Sequence, residues 1–271
     1  MGAAAAFALL LGSGGLAGFA AGLFGIGGGF VVVPVLVFLL PLLGAEPATV
    51  THTAIGSSLA TIVATSLRSV AAHARRGAVD FDILRTWGPW LMGGVALGIL
   101  LADRLAGPLL AIVFGTGVLL MALHFLFPML RGRQWRSDMP GPVARAGIAG
   151  SLGAFSSLLG IGGGTIAVIV MTLCGRPIHQ AIATAAGFGV FIALPGAVGF
   201  ALIGLGEPGL AAGSTGYVNW PAVLAIALLS VVTAPLGVAM AHRLPAEALR
   251  RLFGLYLVFV GILMIRQGAG A

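Results

Sequence analysis

An all-α integral membrane fold built from two inverted-topology repeats is predicted by three observations. These are an apolar excess, a glycine-rich motif that occurs twice, and an odd number of membrane segments between its two copies. Of the 271 residues, 59% are apolar and 8% charged, and the mean hydropathy is +1.12. A globular domain carries roughly 25% charged residues, so this chain has too few to cover a water-facing surface. Lipid is its solvent.

The basic residues are all Arg, and they give a net charge of +7. They fall between apolar runs rather than along a stripe, which points to the positive-inside rule and away from nucleic acid. Cys174 is the single cysteine, so an intramolecular disulfide is excluded, and no Cys/His spacing suggests a metal. Residues 1–11 are apolar without a basic flank. They read as the start of the first membrane segment rather than a cleaved leader.

Apolar segments fall at about 3–24, 29–43, 52–72, 84–102 and 106–128, and again at about 143–159, 165–175, 181–204, 221–241 and 248–265. A spanning helix needs ~20 residues, so the segments after the Gly motifs, 165–175 above all, read as half-spans. The two sets form an internal repeat: Gly25 matches Gly160, Thr53–Gly56 match Thr184–Gly187, Val79–Phe81 match Val218–Trp220, and Phe114–Gly115 match Phe253–Gly254. The resulting units are a repeat over 1–128, a cytoplasmic linker over 129–142 and a second repeat over 143–271.

Each repeat has five crossings, or three plus a re-entrant hairpin formed by its first two segments. Both numbers are odd, so the second repeat enters from the opposite face. Arginine placement gives the same answer. Arg68, Arg75, Arg76 and Arg85 cluster near the loop after the third segment, whereas its counterpart, 205–219, holds none. Arg131, Arg133, Arg136 and Arg145 mark the linker, and Arg243, Arg250 and Arg251 the last loop. Alternating sides also puts Arg176 inside, leaving Arg104 and Arg266 outside and both termini external.

The repeated motif is Gly25-Ile26-Gly27-Gly28-Gly29 and Gly160-Ile161-Gly162-Gly163-Gly164. Near-consecutive glycines interrupt helices, and at membrane depth uncoiled backbone is tolerated only where protein buries it or a water-filled cavity receives it. Matched interruptions point to a transporter's binding site. Helices beginning at Gly29 and Gly164 present unpaired N–H groups and positive dipole ends, which bind anions. The alternative is that the glycines serve close helix approach, although they lack the four-residue spacing of a packing motif. Thr165 adds a hydroxyl after the second motif.

The third segment opens with Pro47, Thr49, Thr51, His52 and Thr53, ordinary helix-start residues. Ser58, Thr61, Thr65 and Ser69 share one face, either lining a polar path or bonding to carbonyls. Ser57 is the better site candidate, with Thr53 and Thr184. Pro195 predicts a kink in the second copy. His52 and His179 read as interfacial residues, with proton carriage the minority alternative. Trp87, Trp90, Trp135 and Trp220 read as interfacial aromatics, Asp80 and Asp82 as a solvated loop, and Gly94 and Gly98 as a packing pair. No Ser/His/Asp set, P-loop or carboxylate dyad is present, so neither an enzyme nor a cofactor is expected.

The run Gly22–Phe30, Pro34, Thr53–Ser58 and His73–Phe81 resembles the first repeat of the TauE/SafE sulfite exporter family. Leu159–Gly164, Ala183–Ala186, Tyr217–Pro221, Arg243–Pro245 and Arg250–Phe253 resemble its second repeat. Ser57-Ser58 stand where that family commonly has Thr-Ser, and Gly187-Phe188 stand where small residues are more typical. The resemblance implies a bacterial inner-membrane permease for small sulfur-containing anions such as sulfite, sulfonates or thiosulfate. The expected partners are that anion and the bilayer; a homo-oligomer is left open. The rival readings are an anion channel and a membrane-embedded scaffold without transport.

Overall fold

A computed structural model describes residues 3–24, 28–127, 138–241 and 245–270. Among them are ten α-helices: α1 (Ala3–Phe24), α2 (Gly29–Leu39), α3 (Pro47–Ala74), α4 (Phe81–Arg104), α5 (Gly107–Leu126), α6 (Pro142–Leu158), α7 (Gly164–Leu173), α8 (Ile178–Ile203), α9 (Trp220–Ala241) and α10 (Ala246–Gly268). Helices α3, α4, α5, α8 and the Arg250–Gly268 part of α10 are long and apolar enough to cross a bilayer. At ~1.5 Å per residue, the 11 residues of α2 and 10 of α7 reach only about half of a ~30 Å hydrocarbon core. Both are half-length helices.

The short helices begin where the glycines let them. Gly28 (φ 78°) precedes α2 and Gly163 (φ 67°) precedes α7, both in the left-handed region that glycine enters without a steric penalty. Pro34 lies inside α2 and cannot donate to the Phe30 carbonyl one turn back. The Tyr256 hydroxyl of α10 donates to that oxygen instead, at 3.3 Å.

Helix pairing follows the small residues. Helix α1 packs on α9, α4 on α6, α3 on α8 and α5 on α10, while α2 lies on α3 and α7 on α8. A Cβ on Gly14 would meet the Ile226 backbone at 2.7 Å, and Gly18 sits against Ser230. Gly94 and Gly98 bring α4 onto Gly150 and Ala154 of α6. Without a hydrophobic force between helices in lipid, such backbone approach is what dispersion exploits.

Two features depart from the sequence expectation. Trp87 is not interfacial: it is 1% exposed and stacks on Phe188, ring centroids 5.8 Å apart, so α4 uses it as core where it meets α8. Trp90 and Trp220 are about half exposed, and Trp135 lies outside the described residues. A small antiparallel pair, β1 (Ser214–Thr215) and β2 (Val218–Asn219), also precedes α9.

Candidate functional site

The two glycine motifs meet. A Cβ on Gly29 would fall 2.6 Å from the Gly160 carbonyl oxygen and 3.0 Å from Ile161 Cα, so only a glycine lets the start of α2 sit against the second motif. Gly25 and Gly27 lie outside the described residues. Helix α6 ends at Leu158, and its chain leaves by way of Gly160 (φ 60°). The Ile161 amide turns back to Ser156 O at 3.0 Å. Helix α3 supports this turn from below: Ser58 Oγ donates to Gly160 O at 2.8 Å, and Ile62 lies beside Gly162.

At the N-terminus of α7, Ala167 N donates to Gly163 O at 3.0 Å, as Val32 N does to Gly28 O in α2. Among the described residues, no acceptor serves the amides of Gly164, Thr165 and Ile166. These are the orphan donors of a helix start. A Cβ on Gly164 would meet nothing within 4 Å, so this end faces open space. Beside it runs a groove of about 450 Å³ lined by Gly147, Ile148, Ser151, Leu152, Phe155 and Ile166.

Ser156 completes the turn and was not singled out by sequence reading. Its side chain is fully buried, its Oγ has no partner, and it stands 2.9 Å from where a Cβ on Gly163 would lie. Thr165 Oγ1, two residues along from Gly163, is likewise buried without a partner. The other buried atoms in this condition among the described residues are Thr53 Oγ1, His52 Nδ1 and the Nε atoms of Arg145 and Arg176. An unmet buried donor costs about 1–3 kcal/mol. These two hydroxyls and the three free amides are donors without acceptors, the chemistry that suits an acceptor-only ligand such as an oxyanion.

Ser57 and Thr184 are placed differently. Ser57 Oγ accepts from Asn219 N at 2.8 Å, and Thr184 Oγ1 accepts from Asp80 N at 3.0 Å. Asp80 and Asn219 in turn cap α4 and α9, through Oδ1 to Ile83 N (3.1 Å) and to Ala222 N (3.0 Å). The two hydroxyls therefore tie α3 to the start of α9 and α8 to the start of α4. Asp80 is a helix cap rather than a freely solvated loop residue. In the hydroxyl stripe, Ser58 reaches across to Gly160, while Thr61 and Thr65 bond back to their own helix through Ser57 O and Thr61 O.

With this geometry in view, comparison with known proteins decides the family. The model of the sulfite exporter TauE/SafE family matches residues 10–264. The chain belongs to the TauE/SafE family. A probable membrane transporter protein of Haemophilus influenzae is 37% identical over 93% of this chain and 95% of its own length. One from Xylella fastidiosa is 31% identical, covering 94% and 93%. The probable membrane transporter protein YunE of Bacillus subtilis is 25% identical, covering 97% and 98%. No solved structure matches. TauE/SafE membership makes the chain a multi-pass membrane protein of a transporter family, not an enzyme.

Proposed function

We propose that the protein is an inner-membrane secondary transporter that moves a small sulfur-containing anion through a site at the two glycine breaks. The observation that carries the site is the pair of unpartnered buried hydroxyls, Ser156 and Thr165, beside the acceptor-free amides that open α7. Gly164 keeps a side chain out of the space at that helix start, Gly162 and Gly163 let the turn pack on Ile62 and Ile192, and Gly29 brings the start of α2 against Gly160 and Ile161. Dipole ends and hydroxyl donors replace the anion's water without an embedded cation.

Inverted repeats are the second part of the proposal, and the helix pairing supports them. Exchanging α1–α5 for α6–α10 turns the α1–α9 contact into α6–α4, turns α2–α3 into α7–α8, and leaves α3–α8 and α5–α10 unchanged. The caps of α4 and α9 exchange in the same way, Asp80 for Asn219, while the hydroxyls that meet them differ: Thr184 matches Thr53, and Ser57 lies one turn beyond it. Rocking of one repeat against the other then gives alternating access, with both termini external.

The test is uptake by proteoliposomes of labelled sulfite, thiosulfate, sulfate and organosulfonates, with and without a pH gradient. The proposal expects saturable uptake of at least one of the sulfur oxyanions and its loss in Gly163→Val. Flux that never saturates would indicate a channel instead. No uptake of any of them would overturn the reading.

A further inference from the structure

We infer that Nδ1 of His52 is a proton-binding site whose occupancy is linked to movement of the second repeat across the start of α3. The inference rests on the alternating-access reading above only for what the movement serves. His52 sits in the second turn of α3, 5% exposed. Its Nε2 lies 3.0 Å from the carbonyl oxygen of Ala102 in α4. A carbonyl can only accept, so Nε2 carries the hydrogen and Nδ1 of the neutral ring holds the free lone pair. That lone pair is buried and has no partner.

The ring is enclosed by both repeats. From its own repeat comes the carbonyl of Ala102, near the end of α4. From the other come Tyr217, stacked at 4.8 Å and 27°, and Phe200 at 6.5 Å. Burial holds the Tyr217 phenol above its ordinary range, so it stays neutral. The charged side chains that act on the ring are the carboxylates of Asp103 and Glu207, both exposed and one from each half of the chain.

Adding a proton at Nδ1 creates a second N–H with nothing to donate to, and a buried unpaired ionic donor is costly. Water relieves that cost only if the Tyr217 hairpin and its loop draw back from α3. Protonation therefore selects the conformation in which this end is open, and opening raises the proton affinity by the same factor. A histidine that merely packed would need no vacant lone pair. In the proposed topology this end of α3 faces outward, where an external proton reaches it first.

The experiment uses the full-length protein in liposomes and requires no transported substrate. Solid-state NMR of ¹⁵N-histidine-labelled protein, assigned by difference against His52→Gln, follows Nδ1 from pH 8.5 to pH 4.5. The second readout is the labelling rate of Val218→Cys in a Cys174→Ala background by a membrane-impermeant methanethiosulfonate. It is normalised to the exposed Ala212→Cys. Val218 is 1% exposed and lies beside Tyr217. We expect Nδ1 to gain a proton within that range and labelling of the Val218→Cys variant to rise about fivefold or more on acidification, with the rise absent once His52→Gln is added. An Nδ1 that stays unprotonated throughout, or a labelling rise that survives His52→Gln, overturns the inference. Failure of every anion in the uptake screen would remove the transport reading while leaving both readouts standing.

Discussion

The carbonyl oxygen of Gly160 lies 2.6 Å from the position a Cβ on Gly29 would occupy. One motif's helix start is thereby pressed onto the other motif's exit turn, backbone to backbone. Ser58 fixes the same oxygen from α3, so the junction of the two glycine breaks is held from two sides.

Gly29→Ala should therefore act as a wedge. Neither the Gly160 oxygen nor Ile161 Cα is a flexible side-chain tip, and overpacking of this kind costs about 1–3 kcal/mol. Gly164→Ala meets nothing within 4 Å and should leave stability unchanged or slightly raised. Thermal unfolding of the two variants in the same detergent checks the contrast. Equal melting temperatures would mean that the junction is not tight.

Gly28 and Gly163 face a conformational demand rather than a spatial one. At φ 78° and 67° a β-branched residue is a genuine outlier, and strain of this kind costs about 1–3 kcal/mol per site. At Gly163 a side chain would also meet Ile192 at 2.6 Å and Ser156 Oγ at 2.9 Å. Gly28→Val and Gly163→Val should abolish uptake while still inserting into the membrane. Wild-type uptake rates at normal expression would reject a role for these turns.

Ser57 and Thr184 give a prediction about stability. Ser57→Ala strips Asn219 N of its acceptor, and Thr184→Val strips Asp80 N. The buried Asn219 amide left unpaired costs about 1–3 kcal/mol, and the part-buried Asp80 amide less. The two bonds share no partner, so the double variant should lose close to the sum. Melting temperatures of the two single variants and the double measure this directly. A double variant no less stable than either single one would show that the two ties are not independent.

Much of this arrangement is legible in the sequence because glycine runs and apolar lengths are local signals. The breaks at Gly28 and Gly163, the half-length α2 and α7, and Gly94 and Gly98 as a packing pair all follow from them, although their partner α6 does not. What escaped is non-local. Trp87 reads as an edge aromatic until Phe188 of α8 is brought against it. Asp80 and Asn219 read as loop residues until Thr184 and Ser57 arrive from more than a hundred residues away. Ser156 is one serine in a small-residue helix, and its counterpart position in the first repeat is Ala21. Its place four residues before Gly160 was the available signal, and only the turn of the chain back to Ser156 gives it meaning.

That asymmetry supplies the last prediction. A buried hydroxyl without a partner is a burden on the ligand-free fold, so Ser156→Ala should raise the melting temperature, by removing a desolvation cost of about 1–3 kcal/mol. The same change removes a donor to the anion, worth about 1.5–3 kcal/mol when the acceptor is charged. Half-saturation for the transported anion should therefore rise at least about tenfold, since about 1.4 kcal/mol is a decade in affinity. Thr165→Val should behave in the same way, whereas Thr165→Ser retains the hydroxyl and should keep most of the affinity. A residue that only packed would lose stability on truncation and leave half-saturation alone. Opposite signs for stability and affinity are thus the signature of a binding group, and a fall in both would assign Ser156 to the scaffold.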